Sequence, residues 1–215
     1  MSCPFETFAA LSALPVLHAF TGRIPGLDVQ TDRESALARL AIRHAEIRAQ
    51  IGAGTRHFIT AEQVHGAQIA AVTAQHATPV PGVDGLVTDD PNVCLGIYVA
   101  DCGPVWLVDP VRRAIGCVHS GRKGTQLGIV TAAVDAMEKN FRCVRSDIIA
   151  QLGPCIRPPH YEVDFAADIL LQCREAGLTS VHDSARCTAA ESQRYYSYRR
   201  EKGRTGRMLA LLALA

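Results

Sequence analysis

The chain has 215 residues, 48% of them hydrophobic and 20% charged, a composition that builds a sizeable core and excludes disorder. With 22 basic against 21 acidic residues the net charge is +1, which gives no electrostatic basis for binding nucleic acid or an anionic membrane. No apolar run reaches the roughly 18 residues of a membrane span. The opening "MSCPFETFAALSALPVLHAF" has no basic segment before its apolar part, so no export signal is expected and the protein reads as cytoplasmic. Eight cysteines, at positions 3, 94, 102, 117, 143, 155, 173 and 187, form no CxxC pair and read as reduced thiols, most of them small core hydrophobes.

In chain order, "TDRESALARLAIRHAEIRAQIG" predicts the clearest helix. Thr31 and Glu34 fit a capping box. Leu37, Leu40, Ala41, His44, Ile47 and Ile51 make an apolar stripe, and Gly52 suits the residue just past the end. His44 lies on that stripe and reads as a packing histidine. Strand-like pieces follow: "HFITAEQV", "QIAAVTA", a short "GLVT" within "PGVDGLVTDDPN", then "CLGIYVA", "VWLVDP" and "AIGCVH". "GTQLGIVTAAVDAMEKNF" predicts one helix with Leu127, Val130, Val134 and Met137 on one face. "DIIAQLG" reads as a strand, "FAADILLQCREAG" as a helix stopped by Gly177, and "GRMLALLALA" as a strand. Strands outnumber helices without regular alternation, which predicts an α+β fold with mixed sheets in a single domain over residues 1–215. Neither a dinucleotide fingerprint nor a P-loop is present.

Three polar residues end apolar runs: His65 in "EQVHG", Cys102 in "VADCGP" and His119 in "GCVHSGRKG". Two histidines and a cysteine make a zinc set that leaves a fourth position for water, whose pKa zinc would lower to about 7. The residues alone leave Cys102 open between buried thiol, activated nucleophile and metal ligand. Asp101 stands either as the acceptor that orients a ligand histidine or as an acid holding turn amides. "HSGRKGT" offers glycines, a helix start and the cations Arg122 and Lys123 to an anion. "YYSYRREKGRTGR", rich in tyrosine and arginine, reads either as a solvated basic loop or as a phosphate- or base-binding segment.

Taken together, "QVHG", "DGLVTD", "ADCGPVWLVDP", "GCVHSGRKGT", "GPCIRPPHYEVD", Cys187-Thr188 and "YYSYRREKGRTGRM" resemble the YfiH-like, multicopper polyphenol oxidase (laccase-like) domain proteins, also called peptidoglycan editing factors. The resemblance implies a layered α/β/β/α fold. It implies zinc, rather than copper, on His65, Cys102 and His119. It implies phosphorolysis of adenosine, inosine and methylthioadenosine, and deamination of adenosine, with a purine nucleoside and phosphate as partners. Catalysis would then rest on His65, Cys102, His119 and Asp101, with Glu162 as another acid–base candidate, and phosphate on Arg23, Arg122, Lys123 or Arg199. The family's HAGWRG segment reads His119-Ser120-Gly121-Arg122-Lys123-Gly124 here, and its N-terminal FSTR-GG stretch survives only as Phe20-Thr21-Gly22-Arg23. The rival functions are copper-dependent oxidation of polyphenols, a cysteine hydrolase acting on cell-wall precursors, and a non-catalytic zinc-binding protein. Against copper oxidation stand the methionines, Met1, Met137 and Met208, none in a candidate loop, and histidines that form no HxH pair.

Overall fold

The computed structural model describes residues 4–215, so Cys3 lies outside the described residues. The elements in chain order are β1 (Phe5–Glu6), α1 (Ala9–Ser12), β2 (Val16–Thr21), α2 (Arg33–Gln50), β3 (His57–Thr60), β4 (Ile69–Ala71), β5 (Gly85–Thr88) and β6 (Val93–Val99). They continue with β7 (Gly103–Asp109), β8 (Ala114–Ser120), α3 (Arg122–Gln126), α4 (Ile129–Phe141), β9 (Ile149–Leu152), α5 (Phe165–Glu175), β10 (Ser180–Asp183) and β11 (Met208–Leu214). A five-stranded sheet runs β1-β2-β11-β6-β3, and a six-stranded sheet runs β10-β9-β7-β8-β5-β4. Both mix parallel and antiparallel pairs: β3 lies parallel to β6, β4 to β5 and β10 to β9, while the other neighbours are antiparallel.

The order of layers follows from which faces are apolar. Helix α2 packs Ala36, Leu40, His44 and Ile47 onto the first sheet, whose other face meets Trp106, Ile115 and Cys117 of the second. The second sheet's outer face is covered by α4 and α5 through Val130, Val134, Met137, Phe165 and Ile169. This is a single α+β domain in four layers, α/β/β/α. Trp106 on β7 ties the sheets together, its indole N–H donating to the carbonyl of Leu211 on β11 at 3.0 Å. Every residue of β7, β8 and β11 is buried, because each strand is covered on both faces, so these strands read as unbroken apolar runs rather than alternating ones.

The cap of α2 is Asp32, not Thr31: the Asp32 carboxylate accepts the Ser35 N–H at 2.9 Å, and the Thr31 hydroxyl donates to Asp32 instead. A charged acceptor at a helix start outcompetes a neutral hydroxyl. Ala41 is exposed and Ala36 takes its place on the buried face. The single helix expected over 125–141 is two, because Gly128 sits at φ 77° in the left-handed region and breaks the run. Leu127, expected in the core, is 55% exposed at that break. Gly103 and Pro104 belong to β7, so the break in "VADCGP" spans only Ala100–Cys102. β1, α1, β2 and β10 were not foreseen.

Candidate functional site

The strand registers bring three loops to one end of the second sheet. The link Ala100-Asp101-Cys102 carries the chain from β6 in the first sheet to β7 in the second. In the β7–β8 pair, Pro104 lies opposite His119 and Gly103 opposite Ser120, so Cys102 falls beside the end of β8. In the β5–β8 pair, Gly85 lies opposite Val118, which puts Asp84 next to His119. The loop ahead of β4 carries His65 to the same place.

There the ligand atoms of His65, Cys102 and His119 lie within 4.8 Å of one another. The two imidazole rings meet edge to face at 4.8 Å between centroids. His119 is buried, Cys102 half-buried and His65 exposed, so the cluster is open on one side. Gly121 is what lets the sulfur in: a Cβ there would lie 2.7 Å from Cys102 Sγ.

One carboxylate organises both histidines. Asp84 Oδ1 accepts from His119 Nδ1 and the His65 backbone N–H, each at 2.8 Å. Its Oδ2 accepts the N–H groups of Val64 at 3.1 Å and Gly66 at 2.7 Å. Three successive amides thus wrap one carboxylate, holding His65 at φ 59°, a left-handed conformation that a histidine adopts only when its surroundings impose it. With Nδ1 of His119 donating to Asp84, its Nε2 is left for the cluster.

The charges follow from this packing. Burial would raise the Cys102 thiol, but the charge of His119 and hydrogen bonds from His119 and His65 outweigh it, and the thiol falls below its ordinary range. Burial would lower His119, but the Cys102 thiolate and Asp84 outweigh that and raise it. Burial likewise opposes ionisation of Asp84, yet His119 and the loop amides hold it below the usual carboxylate range. A thiolate, imidazoles and an orienting carboxylate are the donor set of a transition-metal site, so the residues fit a bound metal.

Above the cluster opens a cavity of about 610 Å³, within the roughly 300–1,000 Å³ usual for small-molecule pockets. Tyr98, Tyr161 and Phe165 line it with aromatic surface, and Arg33, Arg122, Arg199 and Arg207 line it with positive charge.

Asp101 lines the cavity, but its Oδ1 accepts the Thr188 hydroxyl at 2.6 Å and its Oδ2 the Arg199 N–H at 2.8 Å. It anchors two loops, and the acceptor that orients a histidine is Asp84, which the sequence reading passed over although it stands in the quoted "DGLVTD". Arg23 lies away from the cavity, paired with Glu201 at 2.8 Å and donating to the carbonyls of Ser192 and Tyr195. Lys123 is exposed and does not line the cavity. Arg122 and Arg199 do line it, and both face Glu162, at 3.8 and 3.0 Å. The segment over 195–207 is no solvated loop: Tyr195 and Tyr196 are core residues and Arg207 is buried. Arg33 was missed because nothing in its local sequence sets it apart from other arginines, and Arg207, although it closes the segment read as phosphate- or base-binding, was not singled out within it. The described cysteines are all free, and Cys94, Cys117, Cys143, Cys155 and Cys173 are buried, as core fillers should be.

A family model described as multi-copper polyphenol oxidoreductase laccase matches residues 21–168 and 163–215. Purine nucleoside phosphorylase YlmD of Geobacillus stearothermophilus is 35% identical over 195 residues, covering 72% of this chain and 71% of that protein. A purine nucleoside phosphorylase of Deinococcus radiodurans is 34% identical over 252 aligned positions, covering 100% of this chain and 95% of that one. Among solved structures, YlmD of Geobacillus stearothermophilus superimposes with a TM-score of 0.82 at 27% identity over 99% of both chains. The hypothetical protein YfiH of Bacillus licheniformis does so with 0.79 at 27% identity over 93% of both. The family match overturns the expectation of zinc: the description names copper, and for one set of imidazole and thiolate donors copper(II) stands above zinc in the affinity order of divalent ions.

Among the described residues no helix is long and apolar enough to cross a membrane.

Proposed function

The chain belongs to the multi-copper polyphenol oxidoreductase laccase family, with a His/Cys/His metal site, and from that premise we propose that it is a metal-dependent purine nucleoside phosphorylase. One observation carries the reading: a single cavity combines the His65–Cys102–His119 floor, an aromatic wall and four arginines against one acid, Asp101. Such a cavity suits a flat heterocycle and a phosphate together. The names of the relatives support it.

In phosphorolysis a phosphate oxygen bonds to ribose C1′ as the C1′–N9 bond breaks. The products are ribose 1-phosphate and free purine, whose nitrogen keeps the electron pair and takes a proton from water. When bound, the metal supplies a Lewis acid on His65, Cys102 and His119. Tyr161 and Phe165, packed edge to face at 5.7 Å, offer apolar surface to the purine. Asp84 holds the His119 ring and the His65 loop in place. Asp101 holds the Thr188 and Arg199 segments against the pocket, which shapes its far wall. The same pocket suits deamination of adenosine, in which water adds at purine C6 and ammonia leaves.

The test is incubation of adenosine or inosine with the metal-loaded protein, with and without phosphate. Phosphate-dependent release of free base is the expected result. Inosine formed from adenosine without phosphate reports deamination alone, and no turnover of either nucleoside contradicts the reading. Copper-dependent oxidation of polyphenols is the second reading, favoured by the family description and by a two-histidine, one-cysteine donor set. Met137 and Met208 are fully buried, and the cluster of His65, Cys102 and His119 is the one such group among the described residues. Oxygen uptake with a phenol, in place of nucleoside cleavage, would favour it.

A further inference from the structure

We propose that the anion subsite of this cavity is built by Arg33 and Arg207, not by Arg23, Arg122, Lys123 or Arg199, and that its ligand is inorganic phosphate. The identity of the ligand rests on the phosphorylase reading; the position of the subsite does not. Every other candidate cation is engaged or elsewhere. Arg23 is paired with Glu201, and Lys123 lies outside the cavity. Arg122 and Arg199 share Glu162, and Arg199 also stacks on Tyr161 at 4.7 Å. Arg33 and Arg207 line the same cavity and, among the described residues, neither forms an ion pair with a carboxylate.

Arg207 is buried, whereas Arg33 is exposed but stands at a helix start that disfavours cations. Arg207 is only 8% exposed, and its Nη1 donates to the carbonyls of Thr205 at 2.8 Å and Gly206 at 2.9 Å. Those bonds fix the guanidinium without neutralising it, and although the charge of Asp101 lies near enough to favour the protonated form, among the described residues no carboxylate pairs with it directly, which is unfavourable for a buried cation. Burial and the nearby charge of Arg33 both make Arg207 easier to deprotonate than an ordinary arginine. Arg33 opens α2, the end of a helix that favours acids, and its Nη2 reaches only the Glu62 carbonyl at 3.4 Å. Asp101 acts on Arg207 only through its charge, because both its oxygens accept hydrogen bonds from the Thr188 hydroxyl and the Arg199 backbone N–H. A tetrahedral oxyanion between two guanidinium groups relieves both positions at once.

The experiment is calorimetric titration of the full chain with inorganic phosphate in the absence of nucleoside. Arg33→Met should weaken phosphate binding by about tenfold or more, roughly the loss of one charge-assisted contact. Its melting temperature should hold or rise, since the helix start loses a misplaced cation. Arg207→Lys should weaken binding with the charge retained, because an ammonium lacks the planar fork. Arg122→Met and Arg199→Met should weaken it far less. The reverse order, or no heat from the wild type at millimolar phosphate, overturns the subsite. The two proposals fail separately. Phosphate binding that depends on Arg33, without nucleoside cleavage, contradicts the phosphorylase reading alone. Cleavage with an unchanged KM for phosphate in Arg33→Met contradicts the subsite alone.

Discussion

Each oxygen of Asp84 accepts two hydrogen bonds, and the four donors are His119 Nδ1 and the amides of Val64, His65 and Gly66. Replacing it with asparagine puts an NH₂ where only an acceptor fits. Asp84→Asn should lower metal affinity about 10- to 100-fold, as loss of such an orienting partner does, and reduce thermal stability. Metal analysis after dialysis checks this, and full metal retention would contradict it. Gly121 gives a sharper case. Its φ of −90° and ψ of 177° suit any residue, so alanine costs nothing in backbone terms. The added Cβ would nonetheless lie 2.7 Å from Cys102 Sγ. Gly121→Ala should therefore lose metal while keeping its far-ultraviolet circular dichroism; a variant that binds metal normally would show that the sulfur has room to move. His65, Cys102 and His119 were legible in the sequence because each closes an apolar run before a glycine or Ser-Gly turn. Asp84 was not, because an acid in a turn-rich stretch looks like any turn acid until β5 is registered against β8.

At the scale of the element, α2 illustrates how a readable helix can carry an unreadable load. Its stripe located Leu40, His44 and Ile47 correctly, because a helix repeats every 3.6 residues. The consequence of His44 lies in its surroundings: it is buried against Tyr98 at 5.7 Å, and its Nδ1 has no partner. Burial lowers His44 from 6.5 to about 4. Burial likewise lowers His18 on β2 to about 4, and its Nε2 accepts the Phe8 N–H at 2.8 Å, which only the neutral ring can do. Above pH 6.5 both are neutral in folded and unfolded chain alike, and their contribution to stability is complete. Between about pH 6.5 and 4 the unfolded chain takes up protons that the folded chain refuses, so stability falls as pH falls. The loss approaches about 3 kcal/mol for each histidine. Thermal melts across that window should show the decline, and His44→Leu should flatten it. An equal slope in the variant would contradict the assignment. The strands were read as strands because they are short apolar runs between turn residues, but their order was not. Nothing in "MLALLAL" says that it lies between β2 and β6.

For the whole molecule, the two sheets share one apolar interior, and the polar site gathers where the chain crosses between them at Ala100–Cys102. The layered α/β/β/α arrangement was legible only through the family's motifs, since covered strands lose the alternation that would have told one face from the other. The cavity was less legible still. Its arginines come from the start of α2, the start of α3 and the segment before β11, and only folding shows which of them are neutralised. Ribosyl transfer to phosphate over the His65–Cys102–His119 floor is the proposed activity. It is tested most directly by phosphorus-31 nuclear magnetic resonance of the metal-loaded protein with inosine and phosphate. The account predicts a ribose 1-phosphate signal growing as free phosphate declines, absent in His65→Ala and Cys102→Ala. Inosine left intact by the wild type, or ribose 1-phosphate formed equally by both variants, would contradict it.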